Sequence, residues 1–136
     1  MVKQFSSAFV AEPQLLEELE KRSTPIALPE DRVLFREGDQ PTGVYIVSKG
    51  AALLMRGSNG ATVLTVEAPA GSLLGLPAVV GTKTYSLTAI ALENAELSMV
   101  SCEDFVDLMK EPQVAFQVLK VLAEEVRFAR EALSGL

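Results

Sequence analysis

The sequence predicts a mainly β fold, a barrel or sandwich of short strands flanked by helices. Short apolar segments rich in β-branched and aromatic residues recur through the middle of the chain, and turns containing glycine, proline or asparagine separate them. Helical periodicity is found only at the two ends. The predicted strands cover 33–35, 44–47, 51–56, 62–67, 87–91 and 96–100.

The first predicted element is an amphipathic helix over 12–22. Pro13 suits a first helical position, since its missing N–H would have no partner there. Leu15, Leu16 and Leu19 form the apolar stripe of this helix. Pro25 and the proline at 29 then favour extended chain, so we expect the β region to span 24–100, with a hairpin turn over 57–60.

Two further helices are predicted over 102–134. Ser101-x-x-Asp104 resembles a capping box with Asp in place of the usual Glu or Gln, and Pro112 marks the start of the longer helix. This longer helix has two apolar faces. One is expected to dock on the β region and comprises Val114, Val118, Val121 and Phe128.

The other face has the spacing of a heptad seam, stepping by 4, 3, 4, 3 and 4. Such a seam predicts a homodimer in which this helix packs against a second copy. Packing of the whole helix within one chain is the alternative. The seam comprises Ala115, Leu119, Leu122, Val126, Ala129 and Leu133.

Composition excludes several classes of function. The 136 residues suit one domain spanning 1–136, and they include one cysteine and no histidine. Disulfide frameworks, zinc and haem sites and histidine-dependent catalysis are therefore disfavoured, and we expect no metal and no cofactor. The net charge of −6 argues against direct nucleic-acid binding. No membrane-spanning or signal segment is evident, which predicts a cytoplasmic protein.

A motif at 34–50 carries a family resemblance. The string LFREGD at 34–39, followed by VYIV at 44–47 and by Gly50, resembles the first signature of the cyclic nucleotide-binding domain family. The resemblance implies a double-stranded β-helix, or jelly-roll barrel, of about eight strands with an N-terminal helix and a long C-terminal helix. Within that family, the chain most resembles the sensor half of catabolite-activator-type bacterial transcription regulators. In that class a helix-turn-helix domain follows the long helix, whereas here the sequence given ends at Leu136.

The resemblance also implies a phosphate-binding cassette over 71–88. Gly71 and Gly75 match that family pattern, and Ala78 and Ser86 stand at permitted small-residue positions. In the family an arginine binds the phosphate and a glutamate binds the ribose hydroxyl. The expected ligand-contact positions are Leu74, Gly75, Leu76, Pro77, Ala78, Tyr85, Ser86 and Thr88.

This cassette departs from the family at both charged positions. Leu76 replaces the glutamate and Tyr85 replaces the arginine, and the loss of such a contact costs on the order of 2–5 kcal/mol. Leu76 and Leu87 are expected to make the pocket more apolar. Lys83 is a candidate replacement cation, and Arg130, beside Ala129, is the polar residue nearest the family's base-contact position.

Three functions are compatible with these residues. The favoured one is a non-enzymatic sensor or regulatory domain with a degenerate cassette, which binds another ligand or none. The second is a true cyclic AMP or cyclic GMP receptor that uses backbone N–H groups, Ser86, Thr88 and Tyr85. The third, an enzyme built on the barrel, is disfavoured because metal-dependent barrels need inward-facing histidine or carboxylate ligands.

Overall fold

The computed structural model describes residues 3–58, 60–81 and 83–134, with side chains described over 6–57, 60–62, 64–81 and 83–131. Strands and helices follow one another in the predicted order. The strands are β1 (Lys3–Phe5), β2 (Thr24–Pro25), β3 (Val33–Phe35), β4 (Gly43–Lys49), β5 (Ala51–Ser58), β6 (Ala61–Pro69), β7 (Leu73–Leu74), β8 (Thr88–Ala91) and β9 (Glu96–Ser101). The helices are α1 (Pro13–Glu20), α2 (Leu76–Gly81), α3 (Cys102–Leu108) and α4 (Pro112–Ser134).

The strands of the described chain form two facing sheets in a jelly-roll arrangement. One sheet has the order β1-β6-β5-β8-β3 and the other β2-β9-β4-β7, so the two do not merge into one closed barrel. Neighbouring strands are antiparallel except β1, which runs parallel to β6. The prediction of a mainly β jelly roll with flanking helices is confirmed.

The hairpin between β5 and β6 is tighter than predicted. Gly57 and Ser58 belong to β5 and pair with Thr62 and Ala61, so the turn does not span all of 57–60. Asn59 lies outside the described residues. The register shifts between Arg56 and Gly57, which is a β-bulge near the end of the ribbon.

Alternation along β4 separates two hydrophobic cores. Tyr45 and Val47 face the other sheet and contribute to the core between the sheets. Val44 and Ile46 face the opposite way and pack in a second core beneath the helices. The second core also holds Leu15, Leu19, Phe105, Leu108 and Val118.

The helices begin and dock largely as the sequence predicts. The Ser101 hydroxyl accepts a hydrogen bond from the Asp104 backbone N–H at 3.1 Å and so caps α3. Val114, Val118 and Val121 of α4 are buried in the second core, which they share with residues of α1, α3 and β4. In the part of the chain that is described, no helix is both long and apolar enough to cross a membrane.

Candidate functional site

A cavity of 120 Å³ lies between the sheets and beneath α4. Both sheets, the segment 75–87 and the helix contribute side chains to it. Its walls from the N-terminal segment and the strands are Phe9, Phe35, Leu54, Arg56, Leu64, Val66 and Leu74. The remaining lining residues are Gly75, Pro77, Ala78, Tyr85, Ser86, Leu87, Glu125, Val126, Phe128 and Ala129.

The segment 71–88 contains a strand, a helix and loops of a few residues each. A glycine turn leads into the short strand β7, then into the short helix α2 and a loop. Gly71 and Gly75 both have φ of +92°, a region that side-chain-bearing residues rarely adopt. At Gly75 a Cβ atom would lie 2.8 Å from the Tyr85 ring, so glycine is required there for space as well.

Tyr85 is a structural residue in this site. Its hydroxyl donates to the Gly43 carbonyl at 2.8 Å and accepts from the backbone N–H groups of Thr42 at 3.0 Å and Gly43 at 3.3 Å. Its ring stacks on Phe35 with centroids 3.8 Å apart. The side chain is 2% exposed and lines the cavity, while its hydroxyl is engaged by backbone groups.

Two of the expected contact positions do not line the cavity. Leu76 is fully buried in the second core, on the far side of β4, so it does not make this cavity more apolar. The Thr88 hydroxyl accepts a hydrogen bond from the Glu37 backbone N–H at 3.0 Å and is not among the lining groups. The other six positions, Leu74, Gly75, Pro77, Ala78, Tyr85 and Ser86, do line it.

The cations placed near the site by sequence lie elsewhere. Lys83 is exposed and does not line the cavity, and Arg130 is exposed on α4 and lines only a shallow surface depression. Ala129 does line it, as the family position implies. The one cationic side chain among the described lining residues is Arg56, an exposed residue of β5 that sequence analysis did not select.

Glu125, the acidic group of the cavity, was not predicted from the sequence. Glu125 is 6% exposed, and its Oε1 atom has no hydrogen-bond partner among the described residues. Burial raises the pKa of this carboxyl from 4.5 to about 8, because a low-dielectric environment disfavours the charged form. A signal was present: the docking stripe of α4 steps from 114 to 118 to 121 to 128, and position 125 fills the gap.

Phe128 attaches α4 to the wall of the cavity. Its ring makes an edge-to-face contact with Phe9, with centroids 5.9 Å apart, and packs against the core between the sheets. The cavity is therefore covered by the same helix that supplies Glu125. The predicted docking of Phe128 on the β region is confirmed.

The seam of α4 is partly open to solvent. Leu119 is 57% exposed and Val126 is 55% exposed, whereas Ala115, Leu122 and Ala129 are half-buried. The side chain of Leu133 lies outside the described residues. The homodimer stays a prediction.

Among the described residues, no group of three or more histidine, cysteine, aspartate or glutamate side chains is placed to hold a metal ion. Cys102 is half-buried at the start of α3, and its thiol donates to the Pro41 carbonyl at 3.4 Å.

The sequence profile of the cyclic nucleotide-binding domain matches residues 25–112, about two thirds of the chain. The chain belongs to the cyclic nucleotide-binding domain family. No curated protein sequence matches it.

Solved structures share the fold. The catabolite activator protein of Thermus thermophilus superposes with a TM-score of 0.75 and 25% identity over 95% of this chain and 62% of that one. The regulatory domain of Toxoplasma gondii PKA, crystallised with cAMP, superposes with a TM-score of 0.66 and 17% identity. The match covers 85% of this chain and 43% of that one. The c-di-GMP-responsive regulator CLP of Xanthomonas campestris superposes with a TM-score of 0.65 and 17% identity. The match covers 88% of this chain and 64% of that one. This chain spans less than two thirds of each of these three.

Proposed function

We propose that this chain is a non-enzymatic sensor domain whose phosphate-binding cassette is degenerate, so that its cavity does not hold a cyclic nucleotide tightly. Its fold also occurs in proteins described with different ligands, cAMP in one and c-di-GMP in another. The fold alone therefore does not specify the ligand.

The state of Tyr85 carries this proposal. An arginine would offer a bound phosphate a fixed positive charge and a fork of donors. Tyr85 offers one hydroxyl, whose only proton is given to the Gly43 carbonyl. Its replacement of arginine therefore removes a charge-assisted contact, at a cost on the order of 2–5 kcal/mol in binding.

The size and charge of the cavity support the same conclusion. Its 120 Å³ is close to the roughly 150 Å³ of an engineered cavity that accommodates benzene, so with α4 seated as in this structure it suits a molecule far smaller than a nucleotide. Glu125 adds a buried carboxyl to the cavity, which offers an anionic ligand no positive charge.

Arg56 is the observation that favours a true cyclic-nucleotide receptor, the second candidate. It lines the cavity, and so does Ser86, whose hydroxyl could contribute a further donor. In that account the guanidinium would turn inward and replace the missing cassette arginine.

Calorimetric titration with cyclic AMP and cyclic GMP separates the two candidates. A sensor with a degenerate cassette gives no saturation at micromolar nucleotide, for the wild-type protein and for Arg56→Ala alike. Saturation at micromolar concentration in the wild type that is lost in Arg56→Ala would establish the receptor and overturn our proposal.

We further propose that regulation passes through α4. The helix covers the cavity with Glu125, Phe128 and Ala129 and exposes Leu119 on its other face. A ligand that alters the seating of α4 would thereby alter the seam, which we propose pairs two copies of one domain spanning 1–136. The acidic composition supports action without direct nucleic-acid contact in a cytoplasmic protein.

A further inference from the structure

Glu125 is an unusual residue for the wall of an apolar cavity. Its neighbours along the wall include Val66, Leu64, Phe9 and Phe128, which cannot pair with a carboxyl. Buried polar atoms in folded proteins nearly always have a hydrogen-bond partner. The unpartnered Oε1 atom of Glu125 is therefore evidence of a group that the cavity lacks by itself.

The polar groups nearby do not supply that partner. The Tyr85 hydroxyl is engaged by the backbone of Thr42 and Gly43. Arg56 lines the same cavity, but in the described part of the chain no ion pair joins it to Glu125. Ser86 is exposed at the cavity, and it too leaves Oε1 unpaired.

We propose that the cavity binds a small primary amine with a short apolar body, whose ammonium group pairs with the Glu125 carboxylate while the body contacts the apolar walls. This inference rests on the proposed sensor function and names its ligand class. The ammonium supplies both a hydrogen-bond donor for Oε1 and a positive charge, so Glu125 releases its proton to solvent as the amine binds and the buried pair is neutral as a whole. An anion of similar size would find no positive charge at Glu125.

The cavity volume limits the size of the amine. At 120 Å³ the cavity suits roughly the bulk of benzene, which corresponds to about half a dozen heavy atoms. n-Butylamine has a compatible size, and 1-butanol has the same shape with an uncharged hydroxyl in place of the ammonium. The two form a matched pair of probes.

NMR titration of the full chain with each probe, followed at the methyl groups of Leu54 and Val66, tests the inference. We expect n-butylamine to bind the wild type about tenfold or more tightly than 1-butanol. Glu125→Gln keeps the size of the side chain but removes its charge, and should bind the two probes equally. Glu124→Gln makes the same charge change on the exposed face, where Glu124 pairs with Arg127 at 2.6 Å, and should keep the preference.

Three results would overturn the inference: equal affinity of the wild type for both probes, a preference for the amine that survives in Glu125→Gln, or no shift with n-butylamine at tens of millimolar. If the same sample also fails to bind cyclic AMP at micromolar concentration, the ligand class is wrong and the proposed sensor function stands. Micromolar binding of cyclic AMP would instead remove the proposed function itself.

Discussion

At the scale of single residues, Tyr85 and Tyr45 give a matched test of buried hydroxyls. The Tyr85 hydroxyl makes three hydrogen bonds to backbone groups, whereas the Tyr45 hydroxyl lies 3.3 Å from the Thr42 hydroxyl. Tyr85→Phe leaves buried backbone groups unpaired and should lower the free energy of unfolding by about 1–3 kcal/mol. Tyr45→Phe should cost less, about 0.5–1 kcal/mol.

Chemical denaturation of both variants measures these two costs. An equal loss in the two variants would contradict the assignment of Tyr85 as the residue that joins the loop after α2 to the start of β4.

Two glycines with the same backbone conformation separate strain from crowding. Gly75 and Gly38 have φ of +92° and +93°, but an added Cβ meets the Tyr85 ring at 2.8 Å in the first case and no atom within 4 Å in the second. Gly38→Ala should therefore lower the free energy of unfolding by about 1–2 kcal/mol through strain alone. Gly75→Ala should lower it by about 1–3 kcal/mol more.

Thermal or denaturant unfolding of the two alanine variants gives the comparison directly. If Gly75→Ala were no more costly than Gly38→Ala, the packing of Tyr85 beneath Gly75 would be wrong.

The substitution at Tyr85 could be identified from the sequence, but its structural consequence could not. The replacement of an arginine by tyrosine is visible in the sequence. The hydrogen-bond partners of that tyrosine, however, are separated from it by 42 or 43 positions along the chain. Leu76 shows the same limit, since its position in the motif did not reveal that it packs on the far side of β4. Long-range contacts of this kind have no local sequence pattern.

At the scale of the element, the docking of α4 should depend on pH through Glu125. In the folded protein burial raises the pKa of the Glu125 carboxyl to about 8, whereas in the unfolded chain its pKa is near 4.5. Between these values unfolding releases a proton, so rising pH favours the unfolded state. The free energy of unfolding should fall by a few kcal/mol from about pH 5 to about pH 8 and then change little from this group.

Glu125→Gln should remove most of that fall, because an amide does not titrate. The chain contains no histidine, so few other side chains titrate in this interval. Denaturation of the wild type and the variant between pH 5 and 8 measures the difference. A variant that loses stability with pH as steeply as the wild type would show that Glu125 is solvated or paired in solution.

The helices show where local patterns succeed. The cap of α3 and the docking stripe of α4 follow from spacing along a helix, which the sequence displays directly. Strands β2 and β7 have two residues each, too few to show alternation, and they were not predicted. Glu125 was missed because a glutamate on a helix is ordinarily solvated.

At the scale of the whole molecule, the exposed seam of α4 predicts a concentration-dependent homodimer. Leu119 is 57% exposed on the seam, and Val106 is 55% exposed on α3. Leu119→Asp places a charge within the expected helix pair and should shift the protein to monomer in sedimentation velocity at micromolar concentration. Val106→Asp makes the same change outside the seam and should leave the dimer intact.

A wild-type protein that sediments only as monomer would exclude the dimer, and loss of the dimer in both variants would place the interface elsewhere.

The jelly roll itself was predictable because it rests on the glycine-containing motif at 34–50 and on the order of elements. The pairing of two copies is harder to predict, because the sequence shows an apolar seam but not the surface that covers it.

Equilibrium dialysis against cyclic AMP at about 100 µM measures whether the cavity of the folded domain still binds a cyclic nucleotide. The chain has two tyrosines and no tryptophan, so bound purine would dominate the near-ultraviolet absorbance on the protein side of the membrane. We predict equal nucleotide concentration on both sides. One excess cyclic AMP per chain on the protein side would show that the cavity binds the nucleotide despite Tyr85.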